Sequence, residues 1–293
     1  MKKALLQLHI AIFLAGFTGV LGRLITMNEA LLVWYRMLFS ALFLLVLSFF
    51  SKKIKLLPWH QALPLVGIGA IVALHWVFFY GSVKYANVSV SLVCFSSVGF
   101  FSSFLDPWIS KRRVDGMELL LGLMVMVGVY LIFHFDQGYR LGILFGVISS
   151  LLAAIFPILN KKLIDKHDAE TITFYEIGGG WLSLNLVVPF YLQFISFPSY
   201  FPHLKDFLWL LVLSLFCTVL AFNLSVRALK KISPFTVNLS YNLEPVYGIL
   251  LAFLIYKEHM ALGFSFYAGL FIIFLTVVIQ SFRVWKTREN SIT

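Results

Sequence analysis

A few polar residues stand alone inside long apolar runs, where chemistry is the first thing to ask of them. Glu244 lies about eleven residues into one such run, followed by Pro245. If that run crosses a bilayer, the carboxyl sits roughly 16 Å deep, near the midplane. A polar group at that depth is costly and marks a functional site by default. A carboxyl there can bind a substrate amine or a proton; the alternative is a structural carboxyl hydrogen-bonded between helices. Asn238, Tyr241, Asn242 and Pro245 follow i, i+3, i+4, i+7 spacing and share one helical face beside Glu244. Pro245 lacks an N–H, so the Tyr241 carbonyl is expected to lose its partner and the helix to kink. Arg36 could hold a carboxylate, or extend to the membrane surface along its aliphatic stem. Glu176 is a third buried charge candidate, for substrate or as a polar plug. His75 with Phe79, and Trp76 with Tyr80, are i, i+4 pairs. They could line a path for a flat or cationic organic group, or simply pack.

These residues need elements to hold them, and composition says which. The chain has 293 residues; 60% are hydrophobic and 12% charged, about half the usual charged share of a soluble domain. Ten apolar stretches approach the roughly 20 residues a spanning helix needs: 5–24, 30–50, 62–83, 88–110, 117–134, 141–160, 171–194, 207–226, 233–256 and 262–282. The first follows Lys2 and Lys3 and ends without a small-residue cleavage site, so it reads as a span and not a signal peptide. Cys94 and Cys217 lie inside apolar runs and read as packing residues. The expected fold class is all-α integral membrane, with ten transmembrane helices.

The net charge of +10 would suggest nucleic acid in a soluble protein. Here its distribution orients the chain instead. With the N-terminus in the cytoplasm, seventeen of the 23 basic residues fall on inner segments, five on outer ones, and Arg36 lies within a span. This is the positive-inside pattern, with both termini cytoplasmic. The chain also reads as duplicated. Val33-Trp-Tyr-Arg36 in the second stretch corresponds to Thr173-Phe-Tyr-Glu176 in the seventh, and Leu120-Leu-Gly122 in the fifth to Tyr267-Ala-Gly269 in the tenth. Residues 1–135 and 136–284 then form two five-helix repeats, with a cytoplasmic tail at 285–293. Five is odd, so the second repeat is inverted, an arrangement common in transporters with a midplane site. Ser89, Ser91, Ser96, Ser97, Ser102 and Ser103, and Gly178–Gly180, suit close helix packing. Asp106 is expected to pair locally with Lys111, and Asn160, just after Pro157, to act as a cap or a gate.

The pattern resembles the drug/metabolite transporter superfamily, and within it the ten-helix bacterial EamA-type transporters. Asn242-Leu-Glu244-Pro245-Val-Tyr-Gly248, then Lys257-Glu258 and Gly269, is similar to the second-repeat pattern of that family. There an acidic or small residue before proline opens a long apolar run, followed by Gly-Glu and a later Gly. Arg36, Tyr80-Gly-Ser-Val-Lys84, and Gly122 with Gly128-Val-Tyr-Leu131 resemble the first repeat. Two departures stand out: Lys257 replaces the Gly expected before Glu258, and Ser97-Val98 stands at the counterpart of Glu244-Pro245. A separate acid–proline pair, Asp106-Pro107, follows about nine residues later. The resemblance implies a secondary transporter in the cell inner membrane, exporting small organic metabolites such as amino acids or related compounds. It would work by alternating access.

Substrate contacts are expected from Glu244, Tyr241, Asn242, Asn238, His75, Tyr80, Trp76, Arg36 and Glu176, with protons as the coupling ion through Glu244 or His75. No catalytic residue, metal, cofactor or nucleic-acid partner is expected: the chain has no HExxH, P-loop or Gly-x-Ser-x-Gly motif. A lipid-modifying membrane enzyme and a passive channel are the alternatives. The first usually gathers His, Asp or Arg at one interface with sizeable loops; here those residues are scattered and the loops short.

Overall fold

The computed structural model describes residues 2–51, 54–135, 137–193 and 199–289. Among them there are helices and no strand. In chain order they are α1 (Lys2–Leu24), α2 (Glu29–Ser51), α3 (Trp59–Tyr85), α4 (Val88–Phe95), α5 (Val98–Ser110), α6 (Gly116–Phe135), α7 (Arg140–Leu163) and α8 (Ala169–Tyr191). Then come α9 (Leu204–Ser214), a π segment (Leu215–Leu220), α10 (Ala221–Ala228), α11 (Pro234–Ser240), α12 (Glu244–Tyr256) and α13 (Phe264–Glu289). Each of the ten apolar stretches is helical over most of its described length. Among the described residues, seven helices, counting α4–α5 and α9–α10 as one each, are long and apolar enough to cross a membrane. α8 is 23 residues long, but Glu176, Gly178–Gly180 and Asn185 dilute its apolar character.

The outside of the bundle is apolar, as a bilayer requires. Phe49 and Phe264 are 86% and 88% exposed, a placement that water would penalise and acyl chains reward. At the centre, α4 is buried on every side. α3 packs chiefly on α7 and α8, α1 on α10 and α12, and α2 on α8 and α9. α6 pairs with α13 where Gly128 and Gly269 meet. A Cβ on either would come within 2.8 Å or 2.5 Å of the other's carbonyl oxygen, so the crossing requires glycine on both sides.

Two of the apolar stretches are broken near their middles. α4 and α5 are interrupted at Ser96–Ser97, and α11 and α12 by a 3-10 turn at Tyr241–Leu243. The second break corrects the expectation about Pro245. The Tyr241 carbonyl is not left free; it accepts the Glu244 N–H. The chain tightens into a 3-10 turn, and Pro245 then falls in the first turn of α12, where its missing N–H costs nothing. Both broken spans end on a left-handed residue, Lys111 after α5 and Lys257 after α12, each with φ 55°.

Packing glycines behave as expected in part. Gly179 and Gly180 abut Val66 and Gly69 of α3, whereas Gly178 faces open space. Cys94 and Cys217 are buried free thiols. Asp106 pairs with Arg112 (2.6 Å) and accepts from Ser110 (2.9 Å), not from Lys111. Lys111 is in the left-handed conformation that turns the chain, which brings the next residue back over α5.

Candidate functional site

Glu244 and Arg36 face one cavity from opposite halves of the chain. Its cavity volume is about 70 Å³, and its wall includes Arg36, His75, Trp76, Asn238, Tyr241 and Glu244. Six of the nine residues singled out in the sequence are therefore brought together. Phe79, Phe95, Phe156 and Phe222 complete an aromatic lining.

Arg36 does not reach for the membrane surface. It is 1% exposed, and its guanidinium is held on three sides. Nε donates to Thr218 Oγ1 (2.7 Å), Nη1 to Tyr80 Oη (2.8 Å) and Nη2 to the Cys217 carbonyl (3.1 Å). Its face lies over the Trp76 ring, 3.7 Å from guanidinium carbon to centroid, a cation–π contact strengthened by burial. Tyr80 thus serves the cavity indirectly, by fixing Arg36. Gly22 makes room for it: a Cβ there would fall 2.2 Å from the Tyr80 ring.

The π segment supplies the other two partners of Arg36. The Thr218 hydroxyl donates to the Leu213 carbonyl five residues back (3.0 Å), leaving its lone pairs for Arg36. A guanidinium carries five N–H donors, and three are occupied here, so two remain for a ligand.

Glu244 is 5% exposed. Among the described residues, no hydrogen bond or ion pair holds its carboxyl, and none joins it to Arg36. Asn238 is tied to Ser102 (2.5 Å) and to the Ala154 carbonyl (3.3 Å), linking α11 to α5 and α7. His75 Nδ1 lies 2.9 Å from the Ser149 carbonyl oxygen. A carbonyl only accepts, so Nδ1 carries the proton, and in the neutral ring Nε2 is left as an acceptor. Ser149 Oγ returns a bond to the His75 carbonyl (3.1 Å).

Two of the expected residues are elsewhere or undefined. Glu176 lies outside the cavity wall, fully buried between α7 and α8. It accepts from Asn160 Nδ2 (3.2 Å), while its other oxygen and Asn160 Oδ1 have no partner among the described residues. Asn160 is thus the partner of Glu176. The Asn242 side chain lies outside the described residues.

Sequence reasoning missed the contacts that cross the chain. Thr218 and the Cys217 carbonyl hold Arg36; only Thr218, a hydroxyl inside an apolar run, left a signal. Glu258, read only as part of a motif, is 4% exposed and joins the two halves at one end of the bundle. It accepts from Val88 N (3.1 Å), Ser89 N (2.8 Å) and Ser89 Oγ (2.5 Å). Asn87 caps Val90 N in the same turn (2.8 Å), so the first three N–H groups of α4 are satisfied. Arg23 pairs with the same carboxylate and lies over the Tyr256 ring. Beside this clasp, Asp206 accepts from Thr26 N (3.0 Å) and Thr26 Oγ1 (2.7 Å), again joining the two halves.

An apolar helical bundle with lipid-suited faces, and with a buried aromatic cavity that a few charged and polar groups enter, is a multi-span membrane protein. The pattern of the EamA-like transporter family matches it twice, over residues 2–134 and 140–282. The chain belongs to that family, within the drug/metabolite transporter superfamily. Its relatives include an uncharacterized transporter of Archaeoglobus fulgidus, 28% identical over 52% of each chain. A Haemophilus influenzae uncharacterized transporter is 24% identical over 50% of this chain and 51% of that one. The aligned part of the chain thus spans about half the length of each of these two. A second Archaeoglobus fulgidus uncharacterized transporter is 23% identical over 87% of this chain and 89% of its own length. A crystal structure 15% identical to the chain superposes with a TM-score of 0.70, covering 98% of this chain and 99% of that one; the likeness is one of fold.

Proposed function

We propose that the chain is a secondary transporter, not an enzyme, that exports small organic metabolites carrying both a carboxylate and an amine. Amino acids and their relatives are the first class to test. One observation carries the reading: Arg36 from the first half and Glu244 from the second face the same cavity without being bonded to each other. The two free donors of Arg36 suit a carboxylate, in the planar geometry that guanidinium favours. Glu244 suits an ammonium group, and the aromatic walls suit an apolar side chain. Tyr241 and Asn238 would border the ligand, with His75 Nε2 as a further acceptor; protons would couple through Glu244 or His75.

Ten spans in two inverted five-helix halves, with both termini in the cytoplasm of the inner membrane, complete the proposal. The paired breaks in the two central spans support it, as do the matched left-handed Lys111 and Lys257, since discontinuous helices commonly form transporter sites. So do the reciprocal contacts of α3 with α7 and α8, and of α10 and α9 with α1 and α2. In alternating access, the clasp around Glu258 would close the outer end. Export is the direction the family resemblance implies.

The test is transport by purified protein in proteoliposomes, with amino-acid counterflow as readout. Glu244→Gln is expected to lower uptake at least tenfold and flatten its pH dependence. Arg36→Lys is expected to raise KM for carboxylate substrates, because an ammonium cannot make the bidentate contact. Unchanged transport and unchanged pH dependence in Glu244→Gln would remove that residue from the mechanism. Flux that ignores a counter-gradient would identify a channel.

A further inference from the structure

A groove opens on the lipid-facing side of the bundle between α2 and the π segment, away from the central cavity. Its volume is about 390 Å³, and Leu44, Leu47, Phe216, Val219 and Leu220 form its apolar wall. Down the wall from Phe216 to Arg227 is eleven residues, or about 16 Å at helical rise. That matches the hydrocarbon depth of one leaflet, about 15 Å. At its end, the groove meets a second hollow of about 350 Å³, and the two share Glu170 and Arg227. Lys3, Lys230 and Lys231 line that second hollow, with the first turn of α8 at Ala169. Arg227 and Glu170 pair at the junction, so their charges offset and the three exposed lysines set the sign. Asp168, just before α8, is engaged by Lys55 (3.0 Å).

We infer that this composite hollow is a binding site for one anionic phospholipid. The acyl chain lies in the groove and the headgroup phosphate is held by Lys3, Lys230 and Lys231. An apolar groove in the bilayer accepts any acyl chain; the joined basic hollow selects the negative headgroup. A basic pocket between helices at the cytoplasmic surface is the arrangement by which anionic lipid headgroups are held. The site also borders the centre of the protein: Phe216, Val219 and Leu220 belong to the π segment whose Cys217 and Thr218 hold Arg36. A bound acyl chain packs on one face of the segment that anchors Arg36 with the other.

The experiment is native mass spectrometry of the full chain in mild detergent, with phosphatidylglycerol or phosphatidylcholine added. One phosphatidylglycerol is expected to be retained at roughly a tenfold lower lipid concentration than phosphatidylcholine. Lys230→Gln with Lys231→Gln is expected to abolish that preference. Leu47→Trp, which fills the groove from an exposed position on α2, is expected to lower retention of both lipids. Circular dichroism melts identify variants that are folded. Equal retention of the two lipids overturns the inference, as does an unchanged preference in the folded double lysine variant. Displacement by inorganic phosphate or by soluble glycerophosphoglycerol also overturns it, because the hollow would then be a headgroup site without the acyl groove. None of these readouts depends on transport, so they fail or succeed separately from the transporter assignment.

Discussion

The two broken spans share a backbone frame and differ in where they put charge. α4–α5 and α11–α12 each break near the middle and each end on a left-handed lysine. In the first, the break carries Ser96 and Ser97, and the residue after the left-handed lysine is Arg112, which bonds Asp106 of its own span. In the second, the break leads into Glu244, and the residue after the left-handed lysine is Glu258, which crosses to α4 and Arg23 of the other half. One span spends its charges locally; the other sends one carboxyl into the cavity and one across the interface. Two similar frames therefore carry unlike charges, with the acid of the candidate site on one half and the guanidinium on the other.

The sharpest way to break this comparison is to remove the two post-lysine charges in turn. Glu258→Ala strips three donors of α4 of their acceptor in a buried setting. It is expected to destabilise the protein by about 3 kcal/mol, read as a lowered unfolding midpoint in nanodiscs. Arg112→Ala loses a guanidinium that is 42% exposed but leaves the 3%-exposed Asp106 carboxylate with Ser110 as its remaining donor, and is expected to cost about 1–2 kcal/mol, less than Glu258→Ala. Equal losses would mean that the clasp does not hold the halves together.

Next comes the frame itself. A side chain in the left-handed region costs roughly 1 kcal/mol relative to glycine. Lys257→Gly and Lys111→Gly are each expected to raise stability by about that amount. A gain at only one position would show that the two turns are not equivalent. Lys257 stands where the family pattern has glycine, and its φ of 55° gives the physical reason for that preference.

The smallest effect concerns pH. Asp115, in the loop after α5, is hydrogen-bonded by Arg283, which holds its carboxyl below the ordinary aspartate value. Lys55 does the same for Asp168, in the loop before α8. A depressed folded pKa contributes stability that is present above the unfolded value, roughly 3.9. It is lost as pH falls through the lower folded value. Acidifying below about 4 should therefore loosen both contacts, and Asp115→Asn should remove part of the acid sensitivity of the unfolding midpoint. An identical acid limb in that variant would show that the contact adds nothing.

Much of this was legible in the residues. Apolar length marks the helices because a bilayer admits few other solutions, and i, i+3, i+4 spacing put Asn238 and Tyr241 on the cavity wall with Glu244. Arg36 was visible as a buried charge but not its direction, because its partners lie 181 and 182 residues away on the π segment. No Gly or Pro announces that segment. Glu258 was legible as a motif and illegible as a clasp for the same reason: its partner helix begins 170 residues earlier. Local patterns report elements; the pairing of two halves is written in neither one.

The π segment has one more consequence. A turn of π-helix takes up about one residue more than a turn of α-helix. In a regular helix a single added residue rotates everything beyond it by about 100°, moving lipid-facing side chains inward. Here the wide turn absorbs that surplus. The span can thus change length by one residue while α10 keeps its orientation, so insertion and facing are uncoupled at the segment that supplies two of the three acceptors of Arg36.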